Sequence, residues 1–414
     1  MGDEGGFMLD RVVLDTRPGR VVGGLVAVLV LIVIAGLAVL WPDGEDAPAP
    51  AVAQVASTER ATVIAIAAED CEAWAGPGCR LAEVELDTGH LTGRRSFVTL
   101  PDDRSAPRLS RGDRIRVTRN VIAGSDGQPA EDIALDDPGQ QPFAFVDFER
   151  STPLLALALL FGALVVVLGR WHGVRALAGL GLSLVIVTEF LVPSILDGNP
   201  PLAAALVGGL AVMVVTLTLA HGLALTSLAA MLGTAAALAL TALLALAAVR
   251  ATDITGLSSE QSTLLLAEIG QDISLQGLVL AGMVVGALGV LDDVTVAQAS
   301  TVLALRRANE QLGFRRLFGS ALAVGRDHLG ATVNTLVLAY AGAALPVLLI
   351  FHTSSTPFSE AVNREPVAEQ VVAMLVGSIG LIAAVPLTTA VASALAAALP
   401  VAAMPPAQRH AHVH

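Results

Sequence analysis

The chain has 414 residues, a formal net charge of −13, 54% apolar residues and 15% charged ones, with a mean hydropathy of +0.70. Soluble domains carry roughly 25% charge, so a soluble reading of the whole is excluded, and long apolar runs between short charged ones point to a bundle facing lipid. All 24 basic residues are Arg, and they form no patch dense enough to neutralise phosphates, which excludes a nucleic-acid partner.

Residues 1–20 read as a polar cytoplasmic segment carrying Arg11, Arg17 and Arg20. The uncharged run 21–41 has the length of roughly 20 residues needed to cross the hydrocarbon. A secretory signal peptide competes, but its apolar region is shorter and the Trp41-Pro42-Asp43 end suits an interface, so an uncleaved anchor is expected. Residues 42–57, rich in Ala, Pro and acid, form a linker. Residues 58–150 then read as a soluble β-rich domain, with strands near 61–67, 81–86, 95–100 and 113–121. Four or five short strands suggest a small sandwich or barrel, an OB-like barrel among them. Between positions 42 and 150 there are 20 acidic residues against 11 Arg, which reads as a solvated acidic surface. Cys71 and Cys79 are the only cysteines. Outside the cytoplasm they suit a disulfide, with two buried thiols as the alternative. His90 is the domain's only histidine, and no catalytic or metal-ligand spacing surrounds it.

From residue 151 to 400 the apolar runs predict seven spans near 152–169, 174–192, 201–220, 222–249, 275–291 (or to 305), 329–351 and 370–399. The uncharged turn His221-Gly222 must be a tight helical hairpin, and 252–273 reads as an amphipathic surface helix. Eight crossings (1+7) place 11 Arg on one side, including Arg170, Arg175, Arg306, Arg307, Arg315, Arg316, Arg326 and Arg409, and leave only Arg250 and Arg364 in the short linkers opposite. By the positive-inside rule both termini are cytoplasmic, and residues 42–150 lie outside the plasma membrane. The expected fold is an all-α membrane bundle of eight transmembrane helices with a small all-β domain inserted between helices 1 and 2. A tail, 401–414, follows; its Arg409, His410, His412 and His414 read as disordered, with weak metal binding as the rival reading.

Polar groups inside apolar spans are costly, about 2.5–3.5 kcal/mol for a central Asp. Asp292, Asp293, Thr295 and Gln298 form the first such group. The Asp pair lies near mid-depth if the helix continues to Arg306. If the helix enters at Leu275 and ends early, the pair lies near the cytoplasmic face and caps a second helix. Either way Asp292, Thr295 and Gln298 drift along one helix side, which should face protein or water. Asp327, Gly330 and Asn334 fall at i, i+3 and i+7 on one face, and Asn334 is expected to be buried and in need of a partner. Glu189 lies near the outer surface, ahead of Pro193 and Asp197-Gly198-Asn199-Pro200. Ser378 and Thr389 share a face of the last span, which Pro386 should kink. Gly282 and Gly286 form a small-xxx-small pattern.

Three stretches resemble one known family. They are Gly286-Ala-Leu-Gly-Val-Leu-Asp-Asp-Val-Thr-Val-Ala-Gln-Ala-Ser300, Gly325-Arg-Asp-His-Leu-Gly-Ala-Thr-Val-Asn-Thr-Leu-Val-Leu-Ala-Tyr340 and Gly377-Ser-Ile-Gly-Leu-Ile-Ala-Ala-Val-Pro-Leu-Thr-Thr389. Their order and spacing are similar to those of the YibE/F family of bacterial membrane proteins over roughly 150–400, and the Arg-only, Ala-rich style resembles its actinobacterial members. The resemblance implies a fold group and carries no catalytic residue. No zinc signature, nucleophile elbow or P-loop appears, so the chain is expected not to be an enzyme and to use no cofactor or metal. A permease-like protein moving a small solute or ion is the leading expectation, with Asp292, Asp293, Thr295, Gln298, Asp327, Asn334, Glu189, Ser378 and Thr389 as candidate path residues. The alternative is a non-transporting scaffold whose outer domain binds a partner. The bilayer, a homo-oligomer or a membrane partner complete the expected associations.

Overall fold

A computed structural model describes residues 17–42, 58–67, 79–89, 91–101, 107–119, 143–222, 224–258, 262, 264–265, 273–354 and 356–399. The linker 43–57, Cys71, His90, half of the expected surface helix at 252–273 and the tail fall outside the described residues. The chain divides into two compact units, Pro50–Leu164 and Met1–Ala49 with Val165–His414.

The first unit holds five strands, β1 (Glu59–Ala67), β2 (Cys79–Leu86), β3 (Arg95–Pro101), β4 (Arg114–Arg119) and β5 (Phe143–Phe148). They close into a barrel in the order β1-β2-β3-β5-β4, antiparallel apart from the β3–β5 pair. A five-stranded closed barrel agrees with the OB-like option. Alternation builds it: Ala61, Val63, Val84, Leu86, Val98, Ile115 and Val117 point inward and are buried, while Arg60, Thr62, Arg114 and Arg116 stand between them on the other face. β5 was not among the four expected strands, although Phe143-Ala-Phe-Val-Asp-Phe148 carries the period-two aromatic signal. Just past it, Glu149 accepts the Ser151 amide (2.9 Å) and Arg116 Nε (3.0 Å). Hydrogen bonding from Ser151, its side chain first and its amide next, and then from the Arg116 guanidinium lowers the carboxyl's pKa to about 2. Cys79, the first residue of β2, is disulfide-bonded.

The helical unit comprises α1 (Arg17–Val39), most of α2 (Ser151–Ile186), a π-helical turn (Val187–Leu191), α3 (Val192–Leu196), α4 (Pro201–His221), α5 (Leu225–Ala251), α6 (Leu275–Ala308), α7 (Phe314–Thr353), α8 (Phe358–Asn363) and α9 (Glu365–Ala398). Among the described residues seven helical segments are long and apolar enough to cross a membrane, where eight crossings were expected. The difference lies in the 46-residue segment Ser151–Leu196, which the sequence reading divides into two spans. Straight, it would run about 69 Å, more than twice the hydrocarbon. Its backbone breaks at Arg170 (φ 51°, ψ −131°). A Cβ on Gly173 would lie 2.2 Å from the Val165 carbonyl, a contact that a straight helix forbids across eight residues. The chain therefore folds back at Arg170.

α4 and α5 meet through a short turn in which Gly222 adopts φ 70°, the left-handed region that glycine enters without strain. α6 is one unbroken helix of 34 residues. The cap considered at the Asp pair is absent, because α6 begins instead at Ser274, whose hydroxyl accepts the Gly277 amide. Toward the other end Arg306 donates from Nε to the Ala396 carbonyl (3.0 Å) and from Nη1 to Leu312 (2.9 Å) and Glu310. It ties the ends of α6 and α9 to the loop that leads from α6 into α7. α7 begins well before the expected span and carries Arg315, Arg316 and Arg326. After α5, Glu365 accepts the amides of Thr255 (2.8 Å) and Gly256 (2.7 Å), while Ser258 donates to Glu369 (2.8 Å). The first turns of α9 thus hold the start of the 252–273 segment.

α5 and α9 approach most closely where glycine faces threonine. A Cβ on Gly233 would lie 2.1 Å from Thr388 Oγ1, and one on Gly380 would lie 2.0 Å from Thr241 Oγ1. The Gly282/Gly286 pattern plays no such part: a Cβ on Gly282 meets nothing within 4 Å, and one on Gly286 meets only the Tyr340 hydroxyl. Gly380→Ala should therefore destabilise the chain by about 1–3 kcal/mol through overpacking, while Gly282→Ala leaves it unchanged or slightly firmer. Midpoints of thermal unfolding in detergent check this, and equal midpoints for the two variants would contradict it.

Candidate functional site

Along α6, Asp292, Thr295 and Gln298 follow one another at intervals of three residues, and each meets a different neighbour. The Asp292 carboxylate accepts the Thr216 hydroxyl of α4 at 3.4 Å, a long bond, since that hydroxyl lies nearer the carbonyls of Val212 (2.9 Å) and Met213 (3.1 Å). The other carboxylate oxygen is buried without a partner, and among the described residues no cation pairs with Asp292. The carboxylate lines a cavity of about 320 Å³ bounded by α2, the π-helical turn, α4 and α6. Ser183 and Thr216 are its other side-chain hydroxyls, and apolar groups such as Leu184, Met213 and Leu288 form most of the wall.

One turn on, Thr295 shares a 2.6 Å hydroxyl–hydroxyl bond with Thr234 of α5, and both are fully buried. A turn further, the Gln298 amide donates to the Ala321 carbonyl of α7 (2.8 Å) and to Thr389 of α9 (2.7 Å), whose own hydroxyl donates to Val385 (2.6 Å). The amide fits because position 325 is glycine: a Cβ there would lie 2.7 Å from Gln298 Oε1. Gln298, Gly325 and Thr389 each come from one of the three stretches singled out in the sequence, and the fold brings them to one point.

The remaining candidates do not join this cluster. Asp293 is exposed on the far side of α6, and Asp327 and Asn334 are exposed on α7. The expectation that Asn334 is buried is corrected. α7 buries Leu317, Ala321, Gly325, Leu336 and Ala344. Asp327 and Asn334 lie two and nine residues after Gly325, close to half a turn round the helix from that stripe at 3.6 residues per turn. Ser378 is buried on α9 with its hydroxyl unpartnered. Glu189 is exposed in the π-helical turn, and the adjacent Thr188 hydroxyl donates to it at 3.4 Å. Sequence reasoning missed Thr216, Thr234 and Ser183, and it gave Gly325 no role although that residue opens one of the three stretches. A hydroxyl in an apolar helix usually bonds its own helix, as Thr216 and Ser183 do, so residue type alone gives no signal. Among the described residues no three His, Cys, Asp or Glu side chains gather as a metal site.

Several helices long and apolar enough to span a bilayer, with polar side chains turned toward one another, define a multi-pass integral membrane protein. The model of the YibE/F-like protein family matches residues 157–398, more than half of the chain, and the chain belongs to that family. No curated protein and no solved structure matches it.

Because Gln298 serves α7 and α9 at once, Gln298→Ala should leave buried acceptors unserved and cost about 1–3 kcal/mol. Gly325→Ala should cost a similar amount by expelling the amide, and the double variant should cost less than the sum, since both disturb one contact. Unfolding midpoints of the four proteins measure this, and strict additivity would refute the shared contact.

Proposed function

We propose that the chain is a permease-like protein that moves a small solute or ion across a bacterial plasma membrane. The observation that carries this reading is the Asp292 carboxylate, at the middle of a spanning-length helix, lining a cavity with one oxygen unpartnered. A charge so placed costs several kcal/mol unless it is used. The Arg distribution supports cytoplasmic termini and an outer location for residues 42–150. The eightfold crossing follows if the fold-back at Arg170 divides Ser151–Leu196 into two spans. In this reading Asp292 is the path acid, Thr216 its neighbour, and Thr295 and Gln298 hold the helices around it. Asp293, Asp327 and Asn334 are removed from the path lining.

A second reading, a scaffold whose outer domain binds a partner, is favoured by a polar cleft of about 340 Å³ on the barrel, lined by Arg60, Thr62, Asp87, Arg114, Glu149 and Thr152. One experiment separates the two. Proteoliposomes carrying the chain are assayed for tracer flux with a panel of inorganic ions and small organic solutes. Permease function predicts flux that Asp292→Asn lowers about tenfold or more, roughly 1.4 kcal/mol of barrier, that Asp327→Asn leaves intact, and that survives deletion of residues 58–147. The absence of flux across the panel, or wild-type flux in Asp292→Asn, contradicts the proposal.

A further inference from the structure

The cavity at Asp292 constrains what it can hold. Its wall is apolar apart from one carboxylate and two hydroxyls, those of Ser183 and Thr216. Both hydroxyl hydrogens are already engaged, that of Ser183 by the Gly179 carbonyl (2.8 Å) and that of Thr216 by the Val212 carbonyl (2.9 Å), with Asp292 itself as the longer acceptor (3.4 Å). An anion would meet the carboxylate and find no free donor. A bare Ca²⁺ or Mg²⁺ needs about six to eight oxygen ligands, and three side chains do not supply them. A neutral apolar solute would leave the buried carboxylate uncompensated. An organic monocation satisfies every wall: its ammonium pairs with the Asp292 carboxylate, and its hydrocarbon body takes the apolar space, which at about 320 Å³ sits at the small end of ligand pockets.

We infer that this cavity binds a small amphipathic organic amine in its protonated form, with Asp292 as counter-ion. The inference rests on the permease reading for its purpose but not for its test, because binding is read without flux. Leu184 and Val285, 58% and 36% exposed, stand at the rim, so the amine reaches the site along lipid-facing surface. A Cβ on Gly289 would meet nothing within 4 Å. That position borders the cavity, so Gly289→Leu fills it without forcing the backbone.

The test uses the full chain in lipid nanodiscs, with phenethylamine as probe, phenethyl alcohol as its neutral analogue, and calcium and magnesium chlorides as competitors. Saturable binding of the amine is expected, with the alcohol at least about tenfold weaker, a gap of about 1.4 kcal/mol or more. Neither metal should compete beyond its effect on ionic strength. Asp292→Asn and Gly289→Leu should each abolish the difference between amine and alcohol. Equal binding of the two probes to the unaltered protein makes the cavity a lipid-like apolar groove and overturns the inference, as does displacement of the amine by either metal at equal ionic strength. Amine binding with no flux of any solute sinks the permease reading alone, whereas flux without amine binding sinks this inference alone.

Discussion

α6 carries a carboxylate, a hydroxyl and an amide along one side of a helix that hydrocarbon would otherwise surround. None of these groups can face lipid without losing several kcal/mol, so the helix must turn that side toward neighbours that serve it. The rest of the bundle follows from that demand. α4 comes to Asp292 with Thr216, α5 to Thr295 with Thr234, and α7 and α9 to Gln298 with the Ala321 carbonyl and Thr389. Each bond joins a different pair of helices, which gives the bundle a register that apolar packing alone would leave loose. Only the bond at Asp292 is long and leaves an oxygen empty. Structural holding and candidate function thus separate along one helix within two turns.

Close packing sets the same register from another direction. Gly233 and Gly380 let α5 and α9 approach until threonine side chains fill the space that their Cβ atoms would need. The helix ends are then closed by charge on backbone. Arg306 gathers carbonyls from α9 and from the turn after α6, and Glu365 gathers amides from the turn after α5.

Much of this was legible in the residues, and the parts that were not share a cause. Apolar run length located the helices because the bilayer sets a length scale, and period-two alternation located four of the five barrel strands. The side of α6 that faces inward follows from the spacing of Asp292, Thr295 and Gln298. α7 misled, because polar spacing alone does not say which face packs. Leu317, Ala321, Gly325 and Leu336, small or apolar and four to eleven residues apart, mark the buried stripe, and Asp327 and Asn334 stand opposite it. The continuity of α6 was open because Leu275 and Arg306 both make credible ends. What decides it is the cap at Ser274 and the tie from Arg306, neither of which shows in hydropathy. Long-range partners such as Thr216 and Gly325 become visible only when the helices are set side by side.

The family stretches take on physical meaning here, since Gln298, Gly325 and Thr389 are three corners of one contact. The account stands on α6 being a single helix with its polar side turned into the protein. A nitroxide scan of positions 286–302 in membranes, reading oxygen and nickel-chelate accessibility by electron paramagnetic resonance, tests that directly. The account predicts one unbroken period of about 3.6 residues, with minima at positions 291, 295, 298 and 302. A jump in phase at Asp292-Asp293, with every later position open to the nickel chelate, would contradict it.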